Sequence, residues 1–275
     1  MVIRLKKVIK KFIKSKKLQD NLRLIYNSLK TFNLNLLKDE LSYRKNGLPD
    51  NFPFPSSDLI FTIIAIPWVS EYYKSGKLIY DEIISSLAKA NIHLKENSNI
   101  LDFGCGCGRL IRHFANESKF NLYGSDLNPK LINWCKENLH VGNFSTNNVL
   151  PPLNYPDNYF DFIYARSVFT HLSEIYQKQW INEIKRILKP NGLFYFTTHG
   201  NQTLSNLTQI EKTIFHEKGI LEHNFFDEGD NKFSTYQSYK WTKENLISDF
   251  ELLYFEEGKT WTHLTQDVYI IRKIN

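Results

Sequence analysis

The chain has 275 residues, 42% hydrophobic and 15% aromatic, enough for one large α/β domain with extensions or for two smaller domains. It holds no run of about 18 uncharged apolar residues, which argues against a membrane-spanning helix. The net charge of +6 is unevenly placed: residues 1–47 hold 13 Lys/Arg against 3 Asp/Glu, while the remainder holds 22 against 26.

The basic character therefore belongs to the N-terminal extension, and no nucleic-acid partner is expected for the acidic body. The N-terminal stretch lacks the uninterrupted apolar segment and small-residue cleavage site of a secretory signal, so a cytoplasmic location is expected. Three cysteines (Cys105, Cys107, Cys135) make an odd count and give no disulfide framework. The Cys-x-Cys pair lacks partner ligands, the histidines show no metal-ligand spacing, and no metal is expected.

Residues 1–30 read as a helix, with Val8, Ile9, Phe12 and Ile13 as a narrow apolar stripe among seven lysines. Two readings stand side by side. Residues 1–20 either meet an anionic membrane, at about 1 kcal/mol per basic residue near its surface, or form a solvated helix. Residues 46–57, rich in Pro, Asn and Ser, read as a linker. An apolar aromatic run, Ile60–Tyr73, ends at Lys74-Ser-Gly76, and a helix is expected from Lys77 to Ala90. Tyr72 or Tyr73 either caps a ligand or packs in the core.

The central stretch is Asn99-Ile-Leu-Asp-Phe-Gly-Cys-Gly-Cys-Gly-Arg109. Ile100 and Leu101 enter as a strand, Gly104, Gly106 and Gly108 turn it, and a helix begins near Arg109. Glycine belongs where backbone lies close to a ligand, and strand, Gly-rich turn and helix N-terminus together cradle a nucleotide. A dinucleotide site wants G-x-G-x-x-G and a pyrophosphate. Here Asp102 precedes Gly104 by two residues, and a carboxylate there suits an ammonium group. The ligand reads as a nucleoside with a cationic amino-acid tail.

A second strand, Phe120–Ser125, ends at Asp126, about 20 residues beyond the glycines, where a carboxylate accepts both ribose hydroxyls. Asp126 also suits the N-cap of a helix Pro129–Leu139. Phe144–Val149 reads as a third strand and Phe160–Ala165 as a fourth, followed by Arg166-Ser-Val-Phe-Thr-His171. A helix Glu174–Leu188 stops at the turn Lys189-Pro-Asn-Gly192, and a fifth strand, Leu193–Thr198, ends at His199. Alternating strands and helices imply a parallel sheet covered on both faces, with ligands across the strands' carboxyl ends. Asp102, Asp126, Asn148, Arg166, His171 and His199 all fall at such ends. Residues 201–240 read as a substrate-covering insertion, Trp241–Phe250 as a helix, and 251–256 with 266–272 as two strands joined by a loop containing Gly258.

The stretch 99–109, with Asp126 and the strand order, resembles the class I S-adenosylmethionine (SAM) methyltransferases over residues 95–273. The resemblance implies a Rossmann-like, seven-stranded, mostly parallel sheet with helices on both faces and an antiparallel last strand, SAM as cofactor, S-adenosylhomocysteine as product, and methyl transfer. It implies cofactor contacts from Asp102, Gly104, Cys105, Gly106, Asp126, Leu127, Asn148, Arg166 and Tyr73. Asn stands at 148 where many members carry Asp. Ser167–Leu172, Lys189-Pro-Asn-Gly192 and Gln266-Asp267 resemble a bacterial subgroup that accompanies surface-glycan genes, so a small-molecule or glycan acceptor, methylated at oxygen, is expected. Imidazole accepts a proton near neutral pH, which makes His171 and His199 the candidate bases; either also suits a loop-fixing role. A nucleic-acid methyltransferase and a non-catalytic SAM-fold binding protein are the competing readings. The expected divisions are 1–47, 48–94 and 95–275.

Overall fold

The computed structural model describes residues 34–117, 119–223, 229, 233–261 and 264–274. The expected helix over 1–30 and its membrane-facing segment lie outside the described residues. The structure divides into two compact units between Lys74 and Ser75.

In the first unit, helices α1 (Leu34–Asn46) and α2 (Ser57–Ile64) flank an irregular segment, and α3 (Val69–Lys89) begins. Glu40 holds this unit together: its carboxylate accepts from the Ser70 amide at 2.8 Å and from Arg44 Nε at 2.6 Å, and Arg44 also reaches Ser57 Oγ at 2.9 Å. The Tyr73 ring meets Tyr43 edge-on at 5.8 Å, and Tyr72 is fully buried.

The second unit is built on a seven-stranded sheet. Its strands are β1 (Asn99–Phe103), β2 (Asn121–Asp126), β3 (Asn143–Thr146), β4 (Phe160–Ala165), β5 (Leu188–Thr198), β8 (Phe250–Trp261) and β9 (Leu264–Lys273). The order is β3-β2-β1-β4-β5-β9-β8, with β9 antiparallel to both neighbours and the first five strands parallel. Between them run α4 (Ile111–Ala115), α5 (Pro129–Asn138) and α6 (Glu174–Ile187). Phe162–Ala165 of β4 and Leu193–Phe196 of β5 are largely buried on both faces, as a covered parallel sheet requires. Phe103, Phe160, Phe194, Phe196, Trp180 and Ile184 form the core beneath α6, each such side chain contributing roughly 1.5–3 kcal/mol by its burial.

Several boundaries differ from the sequence reading. Helix α3 starts at Val69 and runs through Gly76 instead of starting at Lys77. Gly76 does not break it: a Cβ there would lie 2.3 Å from the Arg109 carbonyl, so glycine permits a close approach to the central turn. Strand β3 stops at Thr146. The turn expected at Lys189–Gly192 lies inside β5, where Leu188 pairs with Phe160 and Leu193 with Phe162, so these four residues bulge from the ladder. The expected helix Trp241–Phe250 is a short helical segment, Tyr239–Trp241 continuing as a π-type turn to Leu246, and Phe250 already belongs to β8. Gly258 (φ 61°) sits in a bulge within β8 rather than in a loop between strands.

The insertion contains a 3₁₀ turn (Asn201–Asn206), helix α7 (Gln209–Lys218) and an antiparallel hairpin, β6 (Ile220–His223) with β7 (Ser234–Gln237). It has its own small core of Leu204, Leu207, Phe215 and Leu221. Glu222 accepts from the first amide of α6 at 2.6 Å, which fastens the hairpin to the sheet domain.

Candidate functional site

The three central glycines all have positive φ (Gly104 83°, Gly106 56°, Gly108 70°). The turn folds back on β2: the amides of Gly104 and Cys105 both donate to the Ser125 carbonyl, at 2.7 and 3.0 Å. A Cβ on Gly104 would lie 2.4 Å from Val168 Cγ2, so the turn also packs directly against the segment after β4.

Two carboxylates frame this turn from adjacent strands. Asp102 is the penultimate residue of β1, opposite Gly124 on β2 and Tyr164 on β4. It is buried, and its Oδ2 has no hydrogen-bond partner among the described residues. Burial pushes its carboxyl up to about 7, against the opposing influence of the Tyr164 hydroxyl and the Arg109 guanidinium. Asp126 ends β2, half-buried. Its Oδ2 accepts from the Gly106 amide at 2.9 Å and its Oδ1 from the Asn128 amide at 2.8 Å. Burial raises this carboxyl too, while those two amides hold it down. A carboxylate offers about four lone-pair sites, so Asp126 can fix the turn and still receive two hydroxyls. The cap of α5 falls to Asn128, which accepts from the Lys130 amide at 3.0 Å.

Leu127, next to Asp126, is 45% exposed, an apolar surface beside a polar anchor. The Asn147 side chain is held by Ser125 Oγ at 2.6 Å and by the Asn148 carbonyl at 2.7 Å, leaving the exposed Asn148 as the amide of this pair that faces solvent. Cys105 behaves differently from its neighbours. Its side chain is buried, and its thiol and that of Cys135 both donate to the Gly106 carbonyl, so it supports the turn from beneath. Tyr73 lies in the first unit, against Tyr43.

A second group of polar residues closes the edge. Arg166 is buried, donates to Ser167 Oγ at 2.5 Å, and is lowered by burial to about 10. Ser167 has a left-handed φ of 58° and donates its amide to Thr197 Oγ1 at 3.0 Å, and strained backbone of this kind gathers at functional sites. Gln266, at the start of the antiparallel β9, reaches Ser167 Oγ at 2.9 Å. Asp267 accepts from the Gly258 amide at 2.8 Å, and a Cβ on Gly200 would lie 1.9 Å from its Oδ2. Burial raises the Asp267 carboxyl to about 6. The sequence reading assigned no role to Ser167, Thr197, Gln266 or Asp267. An antiparallel last strand begins at the carboxyl edge of its parallel neighbours, and that signal could have found the last two.

His171 and His199 come together, their rings perpendicular with centroids 6.5 Å apart. His171 donates from Nδ1 to the Phe233 carbonyl at 2.7 Å, which makes Nε2 the proton-accepting nitrogen of the neutral ring. His199 packs on Tyr236 at 5.2 Å, and burial lowers its pKa to about 3. The insertion touches this edge: Gly229 donates to the His171 carbonyl at 2.9 Å and stands beside Leu127.

This sheet order, with an antiparallel last strand, is that of the Rossmann-like methyltransferase fold. Residues 101–196 match the family profile described as a methyltransferase domain. The matched stretch is thus similar to a methyltransferase domain, and the sheet around it has the Rossmann-like methyltransferase fold. It is 30% identical over 131 residues to the phosphoethanolamine N-methyltransferase of Plasmodium falciparum, covering 46% of this chain and 47% of that protein. It is 28% identical over 170 residues to the tRNA N(3)-methylcytidine methyltransferase of Schizosaccharomyces pombe, covering 57% and 52%. The chain thus spans about half the length of these curated relatives. A solved SAM-dependent methyltransferase from Methanosarcina mazei shares the fold with a TM-score of 0.52 at 24% identity, covering 66% of this chain and 94% of that one. The residues present suit the cofactor: a buried carboxylate oxygen lacks a hydrogen-bond partner among the described residues, Asp126 retains lone pairs, and an exposed leucine adjoins it.

Proposed function

We propose that the protein methylates a small-molecule or glycan acceptor at oxygen. The observation that carries the cofactor half of this reading is the pair Asp102 and Asp126 on adjacent strands, one with an unsatisfied buried oxygen and one clamping the glycine turn. Asp102 receives the cofactor's amino group, and Asp126 its ribose hydroxyls. The Gly104–Gly106 backbone admits its close approach, and Leu127 with Asn148 borders the adenine. Bound SAM supplies a methyl group already activated on a sulfonium, so the chain's own task is alignment and proton acceptance.

Oxygen is favoured because a hydroxyl nucleophile benefits from a general base, and His171 offers Nε2 in a fixed tautomer. Burial leaves His199 too weakly basic for that task at neutral pH. Arg166 suits an acidic group on the acceptor. The sequence resemblance to glycan-associated methyltransferases supports a glycan.

A second reading has one observation behind it: the similarity to a tRNA methyltransferase extends over 57% of the chain. The acidic balance of residues 48–275 opposes it, since a phosphate-tracking surface is basic.

Calorimetric titration of the full chain with S-adenosylhomocysteine, with NAD and Asp126→Ala as controls, tests the cofactor site. Micromolar binding that the variant loses is expected; binding of NAD alone would overturn the reading. Transfer of labelled methyl groups into polysaccharide and small-molecule fractions, compared with tRNA, then separates the acceptors.

A further inference from the structure

Strand β9 brings a buried charge to the carboxyl edge of the sheet. Asp267 stands on the last rung of the β5–β9 ladder, opposite Thr198, the residue before His199. It is only 1% exposed. Two glycines shape the place it fills. The Gly258 amide, at a left-handed φ of 61° in the β8 bulge, donates to Oδ1 at 2.8 Å. Gly200 lets the carboxylate lie where a side chain would stand, with Oδ2 1.9 Å from its absent Cβ. The 3₁₀ turn Asn201–Asn206 packs on the same bulge, since a Cβ on Gly258 would lie 2.3 Å from Gln202 Cγ.

That single amide is the hydrogen-bond donor to Asp267 among the described residues, and no cation is among the groups acting on its carboxyl. Burying a carboxylate is costly unless a cation or several donors meet it. Holding Gly258 asks only for a neutral acceptor, which an asparagine carbonyl supplies at lower cost. The fold therefore uses the oxygen of Asp267 but not its charge. Burial raises the carboxyl to about 6 and the neighbouring Glu257 adds to the rise, while the Gly258 amide opposes it. At neutral pH the group is ionised, and an incoming cation would relieve both its burial and its repulsion from Glu257.

We propose that Asp267 is the receptor for a protonated amine on the methyl acceptor, which makes that acceptor an amino sugar methylated at a hydroxyl. The inference rests on the reading of the protein as a methyltransferase with a glycan acceptor, and narrows it.

The test is calorimetric titration of the full chain, saturated with S-adenosylhomocysteine, with D-glucosamine, D-glucose and N-acetyl-D-glucosamine at neutral pH. Glucosamine alone of the three carries an ammonium group, and it is expected to bind about tenfold tighter or more, the worth of one charge-assisted hydrogen bond. Asp267→Asn keeps the acceptor for the Gly258 amide. It should erase the preference while S-adenosylhomocysteine affinity stays within roughly threefold, a split that a purely structural role would not produce. Carbon-13 spectra of aspartate-labelled chain add a second readout: the Asp267 carboxyl signal should move with glucosamine and not with glucose. Equal or absent binding of the three sugars would overturn the proposal, as would a preference that survives in Asp267→Asn. The wild-type titrations decide it even if the variant does not fold. Failure of S-adenosylhomocysteine itself to bind would strike the cofactor assignment instead.

Discussion

Gly104→Ala is the sharpest single probe of the central turn, because two separate costs converge there. The backbone stands at φ 83°, where an alanine pays about 1–2 kcal/mol for left-handed geometry. The added Cβ would lie 2.4 Å from Val168 Cγ2, and forcing an extra methyl into a packed site costs about 1–3 kcal/mol. The variant is therefore expected to lose about 2–5 kcal/mol of stability, read by urea unfolding of the full chain. Only the second cost involves Val168. Gly104→Ala combined with Val168→Ala should recover about 1–2 kcal/mol relative to the sum of the single changes, the coupling expected of residues in contact. The backbone cost should remain. S-adenosylhomocysteine affinity should fall in the single variant and return in part in the double one, since Val168 belongs to the segment carrying Arg166 and His171. A single variant with the wild-type unfolding midpoint, or a double variant that is merely additive, would refute the reasoning.

Asp126→Asn keeps the shape of the side chain but places an amide where it accepts from two backbone amides and two proposed ribose hydroxyls. At about 1.5–3 kcal/mol per hydrogen bond to a charged group, a loss of at least 100-fold in S-adenosylhomocysteine affinity is expected by calorimetry. An effect below threefold would remove Asp126 from the site. Asp102, raised by burial to about 7, adds stability that is fully present below its unfolded value near 4 and is lost as pH rises through about 7. Unfolding followed from pH 4 to 8 should show this decline, and Asp102→Asn should flatten it. Because an ammonium group favours the ionised carboxylate, binding at pH 6.5 should release protons, seen as a buffer-dependent heat that Asp102→Asn abolishes. Gly200→Ala would drive a Cβ into the Asp267 carboxylate, 1.9 Å away, and should cost about 1–3 kcal/mol with φ already in an ordinary region; an unchanged unfolding midpoint would show that the two segments are not in contact.

What was legible in the sequence was what leaves a pattern in residue type. Phe160–Ala165 is bounded as a buried strand that is apolar but for Asp161, and the positions of Asp102, the glycines and Asp126 follow from backbone geometry that few residues satisfy. Gly76 misled because glycine has two uses. It ends helices, and it lets a helix lie against another backbone; here the second applies. The histidine anchor was illegible for a different reason. Phe233 acts on His171 through its main-chain carbonyl, which every residue carries, so no choice of side chain announces it.

The division between shared and particular residues follows the same line through the molecule. The methyltransferase profile ends at residue 196. Asp102, Asp126, Arg166 and His171 lie inside that span, whereas His199, the β6–β7 hairpin, Gln266 and Asp267 lie beyond it. Relatives named for phosphoethanolamine and for tRNA acceptors each match about half of this chain, so what they share with it does not include a choice of acceptor. Discrimination between acceptors comes from polar groups that one substrate satisfies and another leaves unpaired. His199, whose ring packs on Tyr236, lies with it outside the shared span. Acceptor choice is therefore best sought by exchanging side chains within 199–237, where a change can alter which molecule is methylated while the carboxylates and glycines proposed to hold the cofactor stay as they are.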